Sequence, residues 1–253
     1  MKFVRFQNRN KVAYGYLEND KVVELESNFL TDDSLTKTGK EFNIEEVDLI
    51  SPVEPNQLIA IGLNYVKHAE ESGKPVPKEP MLFLVSPTAV IGDGEDIVLT
   101  NAEDRIDYEA ELAIVIGKDA YQLKEEEALD YVFGYTINND VSNRNLQKRD
   151  GQFTRAKSYS TYKPLGPVIE TDIDPNNVDI KLRVNGEVRQ DSNTNDLVHS
   201  VEKVLVHVSE VFPLCPGDVI ITGTPSGVGP LKDGDTVEVE IEGIGTLRNR
   251  VVI

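Results

Sequence analysis

Residues 107–117 read DYEAELAIVIG, and the placement of the rest of the chain follows from that stretch. Leu112 to Ile116 is an unbroken apolar run, rich in β-branched residues and closed by Gly117, which reads as a buried strand. Glu109 and Glu111 stand two apart at its start, so in a strand they project from one face. Two carboxylates side by side in low-dielectric surroundings repel strongly unless a proton or a cation lies between them. A divalent metal is the simplest remedy, because hard cations take carboxylate oxygens. The spacing therefore predicts a metal site.

The chain carries its own control. Val237-Glu238-Val239-Glu240-Ile241-Glu242 also spaces acids by two, but there acidic and apolar residues alternate, as in a half-buried strand with a solvated face. Burial, not spacing, sets Glu109 and Glu111 apart.

At 253 residues the chain suffices for one large domain, or for one domain with a small appendage. Its formal net charge of −18 argues against nucleic acid and against anionic membranes as partners. An anionic ligand would have to be held against that field by local Arg, Lys or metal charge. The single cysteine, Cys215, excludes an intrachain disulfide framework and reads as a small buried hydrophobe in the turn FPLCPGD. No apolar run approaches membrane-spanning length and the N-terminus lacks a signal-peptide core, so a soluble, cytoplasmic protein is expected.

Residues 1–26 alternate apolar and polar between turn residues at Asn8–Asn10 and Asn19-Asp20, which predicts a small antiparallel meander. Residues 27–46 show no strong period. Pro52 and Pro55 mark a boundary between a small N-terminal β module (1–54) and a larger domain (55–253). A helix-like polar segment runs from Asn64 to Gly73, and a short helix is expected over 122–132. Residues 178–190 read as a hairpin about Asn185-Gly186, the preferred type I′ turn. Val201, Val204, Leu205, Val208, Val211 and Phe212 follow helical spacing behind Ser200 as N-cap. Strands outnumber helices without βαβ alternation, so the fold class is α+β, mostly β with mixed sheets.

Asp140 ends a strand at a polar loop, where it could present a third carboxylate, although a turn-capping aspartate is the plainer reading. His68 and Glu71 are three apart in a helical segment and share a face. A carboxylate beside an imidazole raises its basicity and fixes its tautomer, as a general base requires. On spacing alone an exposed chance pair is the plainer reading. His199 and His207 are assigned to structure. Lys157 could stabilise a developing oxyanion. The stretch TGTPSGVG at 222–229 lacks the ending of a phosphate-binding loop, which excludes nucleotide readings, yet its glycines and Thr224 could approach a substrate carboxylate.

Taken together, NYVKHAEE (64–71), DYEAELAIVIG, INNDVSNRNLQ (137–147), AKSYSTYKPLGP (156–167), VNGEVRQ (184–190) and GDVIITGTPSGVGP (217–230) resemble the fumarylacetoacetate hydrolase family. The resemblance covers about residues 58–253, and residues 1–50 resemble the small N-terminal domain of some members. It implies a homodimer with Mg²⁺ or Mn²⁺, or Ca²⁺ as a substitute, held by Glu109, Glu111 and Asp140. It places a His–Glu dyad on His68 and Glu71, the active-site lysine on Lys157, and substrate contacts on Arg144, Gln147 and Thr224. Members commonly read SARDLQ where this chain has SNRNLQ, so different hydrogen bonding is expected around Asn143 and Asn145.

The resemblance implies a small anionic 2-oxo acid substrate and, as first choice, metal-dependent hydrolysis of a carbon–carbon bond in an acylpyruvate-like 1,3-diketo acid. Isomerisation of 2-hydroxy-dienedioates or decarboxylation of oxaloacetate would need the same residues. An acidic protein with a structural metal is the non-enzymatic alternative. Metal and Thr224 are expected at the 2-oxo-acid head, with Arg144, Gln147 and the 64–73 segment around the distal group.

Overall fold

The computed structural model describes residues 1–253 except Asp33 and Ala102. Its centre is the strand Ala110–Ile116, buried along its whole length between Val132–Asn139 and Val219–Ile221. Leu112, Ile114 and Ile116 enter one apolar cluster, and Ala113 and Val115 enter a second on the opposite face. A strand covered on both faces has no solvated side to mark with polar residues, which accounts for the continuous apolar run.

The large sheet runs, in order, 37–43, 21–25, 11–18, 2–8, 163–170, 132–139, 110–116, 219–221, 58–62 and 81–85. Most pairs are antiparallel, but Val219–Ile221 runs parallel to Leu58–Gly62, so the sheet is mixed. A second sheet (187–193, 179–184, 236–241, 245–252, 96–98) supplies Ile180, Leu182, Val239 and Leu247 to the cluster containing Leu112 and Ile137. A small third sheet joins 142–143, 106–108 and 229–230 at the end of the central strand. The fold is α+β with strands dominant. Among the described residues no helix is long and apolar enough to cross a membrane.

The N-terminal meander forms as its alternation predicts, and Lys2–Asn8 then pairs with Lys163–Glu170, so it extends the large sheet. Asn185 and Gly186 take φ of 53° and 80°, as a type I′ turn demands, and join Asp179–Val184 to Glu187–Asn193. The helix Val201–Val211 is capped by Ser200 and buries Val201, Val204, Leu205 and Val208.

Three expectations need correction. Residues 27–46 contain an edge strand, Lys37–Asn43, which carries no legible period because its side chains are exposed or half-buried. The helix expected over 122–132 is a 3₁₀ helix, Glu125–Tyr131, which turns Ala128 inwards and leaves Leu129 exposed. Cys215 is exposed, because the turn buries its neighbour Leu214 instead. Local desolvation at this surface turn and the neighbouring Asp119 both push the Cys215 thiol up, away from nucleophilic use.

Candidate active site

Antiparallel pairing sets the start of one strand beside the end of its neighbour. Glu109 precedes Ala110–Ile116, and Asp140 follows Val132–Asn139. The Asp140 N–H donates to the Glu109 carbonyl at 2.8 Å, and the Glu109 N–H donates to Asn139 Oδ1 at 3.0 Å. Glu109, Glu111 and Asp140 are buried, and each offers an oxygen within 4.8 Å of the others. The third carboxylate expected from the polar loop is therefore beside the first two.

Three cations answer these acids. Lys157, buried, donates to Glu109 Oε2 at 2.6 Å and contacts Asp140 Oδ2. Arg144 contacts Glu109 Oε1 and donates through Nε to Asp107 Oδ2 at 2.8 Å. Lys163, fully buried, stands 2.7 Å from Asp140 Oδ1. Burial alone would raise the Glu109 carboxyl, but Arg144 and Lys157 outweigh it and hold it well below the usual range. Burial disfavours the Lys157 ammonium, yet Asp140 and Glu109 raise its pKa. Burial pushes Lys163 down to about 8, against the pull of Asp140.

Glu111 differs. Among the described residues no cation pairs with it, and the Gly223 N–H donates to its Oε2 at 2.8 Å. Burial, then Asp140 and Glu109, drive its carboxyl well above the ordinary range. An all-oxygen set in which one buried acid lacks a counter-ion fits a hard divalent cation.

A cavity of about 770 Å³ opens over this triad, and all nine residues singled out in the sequence line it. Ile61, Met81, Phe83 and Phe153 give it an apolar wall. His68 and Glu71 lie on the helix Val66–Glu71, with His68 Nδ1 3.5 Å from Glu71 Oε2. Thr224 Oγ1 accepts from Gln190 Nε2 at 2.8 Å, and Gln190 Oε1 accepts from the Ala110 N–H at 3.0 Å, tying the glycine-rich loop to the central strand. Gln147 Oε1 accepts from Arg144 Nη1 at 2.9 Å. Arg144, expected at a distal substrate group, is thus held by Asp107, Glu109 and Gln147 beside the triad.

The departure at Asn143 and Asn145 has a structural counterpart. Asn143 caps the helix Arg144–Asp150 through the Leu146 N–H and donates to Asp104 Oδ2 at 2.8 Å, while Asn145 Oδ1 accepts from the Arg105 N–H at 3.1 Å. Sequence reasoning missed Asp107, Lys163 and Gln190. Asp107 had a signal, since Asp107, Glu109 and Glu111 continue one spacing of two. Lys163 and Gln190 had none, because only the fold makes them neighbours of the triad and the loop.

Comparison with known proteins identifies the family. Residues 57–252 match the family described as fumarylacetoacetate (FAA) hydrolase C-terminal, and residues 1–52 match the one described as Rv2993c-like, N-terminal. The crystal structure of 5-carboxymethyl-2-hydroxymuconate delta-isomerase from Mycobacterium smegmatis is 41% identical, covers 100% of this chain and 99% of that one, and has a TM-score of 0.93. The mitochondrial oxaloacetate tautomerase of Bos taurus is 42% identical over 220 residues, 82% of this chain and 70% of that protein. Maleylpyruvate hydrolase from Sphingobium.sp SYK-6 is 31% identical, with 100% of this chain and 99% of that one covered at a TM-score of 0.84.

Proposed function

Because the chain belongs to the fumarylacetoacetate hydrolase family, we propose that its cavity carries out enolate chemistry on small anionic 2-oxo acids, with hydrolysis of an acylpyruvate-like 1,3-diketo acid as the main reaction. The observation that carries this reading is the single cavity holding a buried carboxylate triad, Lys157 and the His68–Glu71 pair. Glu109, Glu111 and Asp140 would hold Mg²⁺ or Mn²⁺, which supplies Lewis-acid polarisation of the 2-oxo oxygen when bound.

Lys157, kept charged by Asp140 and Glu109, is available to meet the negative charge of the departing enolate. Glu71 orients His68, whose imidazole takes a proton from water. The water oxygen bonds to the distal carbonyl carbon, and the bond from that carbon to C3 breaks with its electron pair passing to the 2-oxo-acid enolate. The imidazolium returns its proton to C3, giving a carboxylic acid and a 2-oxo acid. Thr224, fixed by Gln190, would hold the substrate carboxylate.

A second reading, isomerisation or tautomerisation of a 2-hydroxy-dienedioate or of oxaloacetate, draws support from the named isomerase and tautomerase relatives. It uses the same enolate and omits the attack by water. A purely structural metal accords poorly with a cavity of about 770 Å³ beside the triad.

The test is a panel of acylpyruvates, 2-hydroxy-dienedioates and oxaloacetate, assayed with Mg²⁺, Mn²⁺ or EDTA. Hydrolysis should need the metal, and His68→Ala should slow it by roughly two to four orders of magnitude. Isomerisation without cleavage of any acylpyruvate would favour the second reading, and turnover of nothing in the panel would leave the structural metal.

A further inference from the structure

Lys163 lies outside the cavity and takes no part in the reaction above. It opens the strand Lys163–Glu170 and is fully buried behind Asp140. Its ammonium donates to the carbonyl oxygens of Tyr162 at 2.8 Å and Val141 at 3.1 Å, and forms an ion pair with Asp140 Oδ1 at 2.7 Å. Lys157 contacts the other oxygen, Oδ2, from the cavity side. Asp140 is therefore bracketed by two cations of different standing. Lys157 faces the space a ligand enters. Lys163 is enclosed by protein and anchored by two backbone carbonyls, so it stays whether or not that space is filled.

A buried ammonium is costly, and an apolar side chain of similar volume would often serve stability equally well. Its position relative to the triad gives it a purpose. Two consequences follow from elementary electrostatics. The ion pair on Oδ1 holds one side of Asp140 and leaves Oδ2 for the cavity side, where Lys157 bridges it to Glu109. A positive charge one carboxylate away from a divalent ion also repels that ion, and the effect is large inside a protein.

We propose that Lys163 is a positioning residue that sets the affinity of the metal site, orienting Asp140 while keeping the site from binding its cation as tightly as three unopposed carboxylates would. This rests on the metal reading above. With Arg144 and Lys157, Lys163 also offsets the charge of Glu109 and Asp140 when no metal is present, so these two acids can remain buried in the metal-free protein.

The experiment is calorimetric titration with Mn²⁺ of protein first stripped with EDTA, for wild type, Lys163→Met and Lys163→Gln, with Tm measured with and without Mn²⁺. The glutamine variant retains a donor for the Tyr162 and Val141 carbonyls should the methionine variant fail to fold. Both neutral variants should bind Mn²⁺ about tenfold tighter or more. Their metal-free Tm should fall, and the rise in Tm on adding Mn²⁺ should widen. A lysine of merely structural use would lower Tm and leave the Mn²⁺ affinity unchanged. Unchanged or weaker affinity in whichever neutral variant folds overturns the inference about Lys163 while the metal reading stands. A wild type that binds no Mn²⁺ overturns the metal reading and this inference with it.

Discussion

Glu71 accepts a hydrogen bond from the Gly227 backbone N–H at 3.1 Å, while the same carboxylate faces His68 Nδ1 at 3.5 Å. One side chain thus stands beside the candidate base and ties its six-residue helix to the glycine-rich loop. Gly227 has φ of 97°, and a Cβ there would collide with the Arg189 carbonyl oxygen, so glycine is needed to bring that N–H to Glu71. Glu71→Ala should speed hydrogen exchange across 66–72, since a hydrogen bond of this kind contributes about 1 kcal/mol. Glu71→Gln keeps an acceptor for Gly227 but not the charge beside His68. It should leave exchange near wild type and still lower kcat for hydrolysis by about tenfold or more. Equal kcat in wild type and Glu71→Gln would separate the loop tether from the chemistry.

Glu111 is the acid of the triad without a cation of its own, and its carboxyl is pushed up by burial and by Asp140 and Glu109. Glu111→Gln spares the metal-free fold the cost of holding an acid that burial and its neighbours disfavour in the charged form, while leaving an oxygen to accept from the Gly223 N–H. The metal-free protein should therefore become more stable, by about 1–3 kcal/mol in urea unfolding, while Mg²⁺ or Mn²⁺ binding and turnover are lost. Glu240→Gln, on the exposed face of its strand, should change none of these. Undiminished calorimetric metal affinity in Glu111→Gln would remove Glu111 from the site.

Away from the cavity, Glu24 is buried and pairs with Lys11 at 3.1 Å and Lys40 at 3.2 Å, on the strand before and the strand after it. Burial raises its carboxyl, but the two lysines lower it further, leaving a net depression below the ordinary 4.5. A group depressed in the folded state contributes stability that is fully present above its unfolded pKa and is lost as pH falls through the folded value. The stability that Glu24 contributes, read as the Tm difference between wild type and Glu24→Gln, should therefore hold above the ordinary carboxylate range and fade as Glu24 takes up its proton below it. Glu24→Gln should be less stable than wild type at pH 7 and approach it in acid. Two Tm curves that stay parallel from pH 7 to pH 3 would show that Glu24 contributes nothing to the acid limb.

The parts of this molecule legible in the sequence are those where one physical demand dominates. The unbroken run Leu112–Ile116 requires cover on both faces, and Asn185-Gly186 permits few turns. The strand Lys37–Asn43 stayed hidden because an edge strand with exposed side chains has no apolar period to display. At the site, the spacing of Glu109 and Glu111 was legible, whereas His68, Glu71 and Lys157 were distinguishable from ordinary surface residues only through the family resemblance. Lys163 could not be read at all. A buried lysine looks like any other lysine until the neighbouring strand that supplies Asp140 is in place.

Arg144 shows where the sequence-based expectation shifts. Its three nitrogens engage Asp107, Gln147 and Glu109, so its guanidinium belongs with the carboxylate end of the cavity. Burial opposes its charge, but Glu109 and Asp107 more than compensate, and it stays cationic throughout the working pH range. Arg144→Met would leave Asp107, a buried acid, with Arg105 as its remaining cation, and would take one of the two cations from Glu109. Breaking a buried pair in this way costs about 3–5 kcal/mol. The mutation should thus reduce stability and lower kcat/KM by about ten- to a hundredfold, the usual worth of charge-assisted hydrogen bonds. Because the damage falls on the end shared by all substrates, a dicarboxylic substrate and a neutral acylpyruvate should suffer alike. Steady-state kcat/KM for the two substrates on wild type and Arg144→Met decides the matter. A loss confined to the dicarboxylic substrate would return Arg144 to the distal end of the cavity, with its contacts to Asp107 and Glu109 giving way when substrate binds.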